Sequence, residues 1–232
     1  MEFHPGKQFE GVRIFSSGKA DGSMNIRHGE GLENARRFLE KIKVDKPFCF
    51  GEQIHKNKIT LLKEPQLCAA TDGILTYKDY VLGIRTADCI PLMILNRQMS
   101  VIGAVHVSRK NLLDGIICKS LKRLLSSAAA RPSQTAVFLG PHIRGRSYEI
   151  KDDILNPLKN SKWEKFVHSV GGKKYFDLTE ALSHELEEIG ILADNIIDCK
   201  IDTYTSDVFF SARRKKPDSP IRTFLTVIFK NG

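Results

Sequence analysis

Two imidazoles and a thiol, His55, Cys89 and His106, are the residues of this chain best suited to hold a metal ion. Two nitrogens and one sulfur form a known catalytic zinc donor set, in which three protein ligands leave a fourth position open to water or substrate. The three lie too far apart along the chain for one finger-type motif. Each nevertheless falls at the end of an expected strand: His55 after 48–50, Cys89 before 91–95 and His106 after 101–105. Adjacent strand ends can converge on one point. A histidine or cysteine beside an apolar strand is also an ordinary way to fill a core, so spacing alone leaves both readings open. Asp88 offers a carboxylate next to Cys89, as partner to a ligand histidine or as a proton acceptor, and it equally suits a turn or a cap.

The elements that must position these groups follow from periodicity. Short apolar runs rich in β-branched residues predict strands over 12–15, 48–50, 73–76, 80–84, 91–95, 101–105, 137–139, 196–204 and 224–229. Apolar residues at helical spacing predict helices over 34–42 and 111–125, and a third over 179–188 with Thr179 as N-cap and Gly190 as stop. The polar stretch 156–174, with the lone Trp163, reads as a surface excursion. Strands and helices mixed in this way, with several hairpin-length connections, predict an α/β fold of the α+β sandwich type, with mixed sheets flanked by helices.

Composition narrows the class. A chain of 232 residues with 41% hydrophobic content suffices for one sizeable core, so a single domain over 1–232 is expected. The longest apolar runs, such as 90–95, fall far short of the roughly 20 residues that cross a bilayer, so no membrane partner is expected. The N-terminus lacks a basic start, apolar stretch and cleavage site, which predicts a cytoplasmic protein. Five cysteines, an odd number without a Cys-x-x-Cys pair, argue against a disulfide framework and against a zinc ribbon. The formal net charge of +9 is spread along the chain, and its local clusters carry no interleaved aromatics, so nucleic acid is not expected as a partner. Phosphate-binding loops, dinucleotide fingerprints, the Gly-x-Ser-x-Gly elbow, the His-Glu-x-x-His helix and the zinc deaminase pattern are all absent.

Six blocks in order carry a family resemblance: Gln53-Ile54-His55, Thr71-Asp72-Gly73-Ile74-Leu75-Thr76, Arg85-Thr86-Ala87-Asp88-Cys89-Ile90-Pro91, Val105-His106, Gly140-Pro141 with Tyr148-Glu149, and Phe209-Phe210-Ser211-Ala212-Arg213-Arg214. With these the chain resembles the family named for multicopper polyphenol oxidase (laccase) activity, also called the peptidoglycan editing factor family. Its members resemble zinc-dependent purine nucleoside phosphorylases. The resemblance implies Zn2+ held by His55, Cys89 and His106, with Cys89 and Asp88 at the catalytic centre. It also implies phosphorolysis of adenosine, inosine, guanosine or methylthioadenosine to a purine and ribose 1-phosphate, with adenosine deamination as a companion. The implied partners are a purine nucleoside and inorganic phosphate, and the implied assembly is a monomer or weak homodimer. Copper oxidase chemistry is not expected, because the seven histidines include no His-x-His pair.

The chain also departs from the family pattern. His106-Val107-Ser108-Arg109-Lys110-Asn111 replaces His-Ala-Gly-Trp-Arg-Gly, so Lys110 stands at the family arginine, with Arg109 beside it. Lysine supplies a point charge to phosphate but not a planar bidentate fork. The Thr-Arg-x-Gly-Gly loop appears as Ser17-Gly18-Lys19-Ala20-Asp21-Gly22, followed by Ser23-Met24-Asn25. The substrate- and phosphate-binding residues implied are Asn25, Arg109, Lys110 and Arg213. Two competing functions remain: a cysteine hydrolase or amidase on a cell-wall precursor, with Cys89 as nucleophile and His106 as base, and a zinc-binding regulatory module with reduced catalysis.

Overall fold

The computed structural model describes residues 1–26, 29–66, 70–216 and 218–231; Cys68 lies outside them. Two mixed sheets pack face to face. The first has five strands in the order β1 (Glu2–Phe3), β2 (Val12–Ser16), β14 (Phe224–Lys230), β6 (Val81–Thr86), β3 (Phe48–Phe50). The second has six: β13 (Ile196–Asp198), β9 (Thr135–Leu139), β7 (Ile90–Asn96), β8 (Val101–Val107), β5 (Gly73–Thr76), β4 (Ile59–Leu62). Most pairings are antiparallel, while β3 runs parallel to β6, β4 to β5 and β13 to β9. A small ribbon adds β10 (Glu149–Ile150), β12 (Lys173–Phe176) and β11 (Val167–Val170). The expected sandwich with mixed sheets and flanking helices is the architecture found.

The apolar runs that marked β7 and β8 are buried along their whole length, as strands covered on both faces must be. Their side chains alternate between two cores. Met93, Leu95, Ile102 and Ala104 meet Ile14, Leu82, Ile84 and Ile228 between the sheets. Leu92, Ile94, Val105 and Val107 face the opposite way, toward Leu112, Ile117, Leu182 and Leu186. A third core lies under α1 (Gly31–Lys41), whose Ala35, Phe38 and Leu39 cover the outer face of the first sheet. Leu92 has no exposed surface. Leu92→Ala is therefore expected to lower stability by about 2–5 kcal/mol, read from the urea unfolding midpoint.

Four expectations are corrected. The helix expected over 111–125 is divided into α2 (Arg109–Leu113), a π-helical stretch Ile116–Leu121 and α3 (Lys122–Ser127). Gly115, at φ 87°, ends α2 in the left-handed region that glycine enters without strain. The segment 156–174 is largely exposed but is anchored rather than free of the core: after α4 (Asp152–Leu158), Trp163 and Phe166 enter the main core and β11 pairs with β12. Within 196–204 only β13 is strand. Finally, α5 (Leu178–Glu188) is capped by Asp177, whose Oδ1 accepts the backbone N–H groups of Thr179 and Glu180; the Thr179 hydroxyl bonds buried His142 at 2.8 Å instead. Among the described residues, Cys49, Cys89, Cys118 and Cys199 form no disulfide. No helix among them is long and apolar enough to cross a membrane.

Candidate metal centre

Three strands of the second sheet bring the site together at one edge. The β7–β8 register sets Pro91 opposite His106, and the β5–β8 register sets Gly73 opposite Val105. Cys89, just before β7, and Asp72, just before β5, therefore meet His106 near the end of β8. The His106 backbone N–H donates to the Asp72 carbonyl at 2.7 Å. Asn111 donates to the His106 carbonyl at 2.8 Å and closes a reciprocal capping box with Ser108 at the start of α2.

His55 comes from a loop rather than a strand. The buried Asp72 carboxylate accepts the backbone N–H groups of Ile54, His55 and Lys56 at 3.1, 2.8 and 2.7 Å, and this folds the loop over the sheet edge. His55 takes φ 54°, a left-handed conformation uncommon outside glycine. The two imidazole rings stand 4.7 Å apart and nearly perpendicular. Ligand atoms of His55, Cys89 and His106 all lie within 4.8 Å of one another, and burial increases from His55 through Cys89 to His106. The donor set fits a metal ion with one position left open.

Asp72 Oδ1 lies 3.2 Å from His106 Nδ1. A carboxylate on the far nitrogen orients a ligand imidazole and strengthens its basicity. Burial opposes a charge on Asp72, but His106 and the backbone N–H groups outweigh it and lower its pKa. Burial likewise opposes protonation of His106, yet the neighbouring Cys89 sulfur and the Asp72 carboxylate raise its pKa to about 9. Metal entering at neutral pH must therefore displace the His106 proton.

Asp88 sits at φ 86°, and its carboxylate receives the Thr203 hydroxyl at 2.6 Å, the Ser211 hydroxyl at 2.9 Å and the Arg213 backbone N–H at 2.6 Å. It ties the 203–213 segment to the Cys89 loop. The carboxylate that meets His106 is that of Asp72 rather than Asp88, and no motif in the sequence gives Asp72 that role.

Cys89 opens onto a cavity of about 290 Å3, lined also by Arg109, Ile143, Tyr148, Leu178 and Arg213. Arg109 Nε donates to the Tyr148 hydroxyl at 3.3 Å, and the Arg213 guanidinium lies 5.1 Å from the Tyr148 ring centre. Burial raises the Tyr148 pKa, so its hydroxyl stays protonated. Of the four residues expected at substrate or phosphate, Arg109 and Arg213 line this cavity. Asn25 instead donates to the Ile221 carbonyl at 2.9 Å, and exposed Lys110 is not among the lining residues. Tyr148 and Leu178 had no assigned place at the site, although Tyr148 belongs to one of the six sequence blocks.

The profile of the multi-copper polyphenol oxidoreductase laccase family matches residues 21–228. The chain belongs to that family. It is 29% identical to the purine nucleoside phosphorylase of Aquifex aeolicus over 93% of this chain and 98% of the relative. Its identity to a purine nucleoside phosphorylase of Campylobacter jejuni is 28%, over 78% of this chain and 76% of that one. Among solved structures, YlmD of Geobacillus stearothermophilus shares the fold, with a TM-score of 0.86 at 20% identity, covering 98% of this chain and 94% of the other. The hypothetical protein YfiH of Bacillus licheniformis is similar, with a TM-score of 0.84 at 20% identity over 95% and 93% of the two chains. The family's laccase description contrasts with the ligands here. Among the described residues, the other groups able to hold a metal, Cys118–Glu185–Glu188 and His168–Asp177–Glu180, contribute a single histidine between them.

Proposed function

We propose that the protein is a zinc-dependent purine nucleoside phosphorylase, with adenosine deamination as a companion activity. The observation that carries this is the His55–Cys89–His106 group, whose Cys89 lines a cavity also lined by Arg109 and Arg213. The names of its relatives support the same reaction. Zinc bound by the three residues would supply a Lewis acid at the cavity mouth.

Arg109 and Arg213 neutralise inorganic phosphate and aim it at the anomeric carbon. A phosphate oxygen bonds to that carbon as the glycosidic C–N bond breaks, and the electron pair leaves with the purine, which takes up a proton. In this reading the Tyr148 hydroxyl, which accepts from Arg109 and stays protonated, donates toward the leaving base. Asp88 acts as a positioning residue, since three donors occupy its carboxylate and one of them carries Arg213.

Product analysis tests this directly. The zinc-loaded protein is expected to convert inosine to hypoxanthine and ribose 1-phosphate only when phosphate is present. Phosphate-independent conversion of adenosine to inosine, with no free base, would leave deamination alone. Arg109→Met is expected to raise the KM for phosphate by roughly ten- to a hundredfold, the worth of one charge-assisted hydrogen bond, with zinc content unchanged. An unaltered phosphate KM would remove Arg109 from the phosphate site.

One observation favours a second reading. Cys89, His106 and Asp72 stand in the order nucleophile, base and orienting carboxylate, with His106 in contact with both of the others. A cysteine hydrolase built on this relay would survive chelation and be killed by thiol alkylation. The phosphorylase would lose activity on chelation, and zinc would protect Cys89 from alkylation.

A further inference from the structure

We propose that His168, Asp177 and Glu180 form a second divalent-cation site, separate from the His55–Cys89–His106 centre. Their ligand atoms all lie within 4.8 Å of one another. His168 Nε2 and Glu180 Oε2 are 3.3 Å apart. Ligand bonds of about 2.0–2.1 Å at tetrahedral angles separate donor atoms by about 3.3 Å, so this edge is already at coordination spacing.

The third donor is held in place by the fold. Asp177 Oδ1 is occupied by the two N–H groups of the first turn of α5. Its Oδ2 lies against Gly145, where a Cβ would come within 2.3 Å of it. Only glycine at 145 leaves room for that oxygen. The three donors thus come from residues of β11, the cap of α5 and the first turn of α5, whose backbones are held by regular pairing, while the His168 and Glu180 side chains reach the surface.

Charge supports a cation. Two carboxylates converge with one imidazole, and among the described residues no lysine or arginine pairs with Asp177 or Glu180. The Cys118–Glu185–Glu188 group makes the contrast: there Lys162 already bridges both carboxylates and takes the cation's place. One nitrogen and two carboxylate oxygens suit a first-row divalent ion such as Zn2+ or Co2+. The remaining coordination positions would face a cavity of about 610 Å3, lined also by Arg146, Val170 and Tyr175. Leu178, next to Asp177, lines the Cys89 cavity instead, so the two sites lie on either side of the start of α5.

Cobalt(II) titration of the full chain, followed by visible absorption and equilibrium dialysis, separates the two sites. Two equivalents are expected: one with thiolate-to-cobalt charge-transfer absorption from Cys89, and one without. His168→Ala and Glu180→Gln should each weaken the thiolate-free equivalent by at least about tenfold, while the charge-transfer equivalent and the circular dichroism spectrum stay as in wild type. Cys89→Ala should abolish the charge-transfer absorption and leave the thiolate-free equivalent intact. A wild type that binds no thiolate-free equivalent, or one whose affinity is unchanged in both variants, overturns the second site whatever the phosphorylase assays show.

Discussion

Cys89→Ala is expected to empty the metal centre and to reduce kcat/KM for inosine phosphorolysis by more than about a hundredfold. A bound Lewis acid supplies several kcal/mol of transition-state stabilisation, and each 1.36 kcal/mol is about tenfold in rate. The remaining His55 and His106 would offer zinc only two donors. Cys89 is half-buried at the mouth of a cavity, so its truncation should leave the three cores intact, and the unfolding midpoint of the variant should match that of the metal-free wild type. Plasma emission analysis of metal content, with steady-state kinetics on the same preparation, reads both effects. A variant that keeps stoichiometric zinc would remove Cys89 from the ligand set. Chelation of the wild type distinguishes the metal reading from the hydrolase reading, because only the first loses activity with the ion.

Asp72→Asn should lower zinc affinity by about ten- to a hundredfold and stability by about 1–3 kcal/mol. The buried carboxylate serves four donors: the N–H groups of Ile54, His55 and Lys56, and His106 Nδ1. An amide keeps one acceptor oxygen but turns an NH2 toward a backbone N–H that had been satisfied. The His55 loop loosens and the His106 ring loses its orienting partner. The pH dependence changes as well. In the wild type the His106 proton, held up to about pH 9, competes with metal, so affinity should rise with pH and level off above that value. Removing the Asp72 charge lowers the His106 pKa, so the rise should end at lower pH in the variant. Competition with a chromophoric chelator across pH measures both effects, and identical profiles would show that Asp72 does not act through His106.

Much of the fold was legible because burial leaves a strong mark on sequence. Strands 90–96 and 101–107 are covered on both faces, and the length and β-branched content of their apolar runs predict them over 91–95 and 101–105. The two-residue β1 and β10 carry no periodicity at all, and β4 was not among the expected strands. The interrupted helix after Arg109 kept its helical spacing on both sides of Gly115, and only a left-handed φ at that glycine separates the pieces. Trp163 was misplaced because its polar neighbours conceal that it turns inward with Phe166.

At the site, residue type and tertiary placement divide the information. The sequence by itself determined which atoms can bind a soft or borderline metal, since one thiol and two imidazoles near strand ends are scarce and chemically distinct. The family resemblance also put Arg213, in the last of the ordered blocks, and Arg109, in the altered stretch after His106, among the expected substrate-binding residues. Only the tertiary structure decided that Asp72, rather than Asp88, is paired with His106, and that Asn25 and Lys110 lie away from the Cys89 cavity. The physical reason is common to all of these. A carboxylate beside a glycine looks like a turn until folding brings three backbone N–H groups and an imidazole to it. Which of two neighbouring cations reaches a cavity is set by the direction of one helical turn, which composition and spacing do not carry.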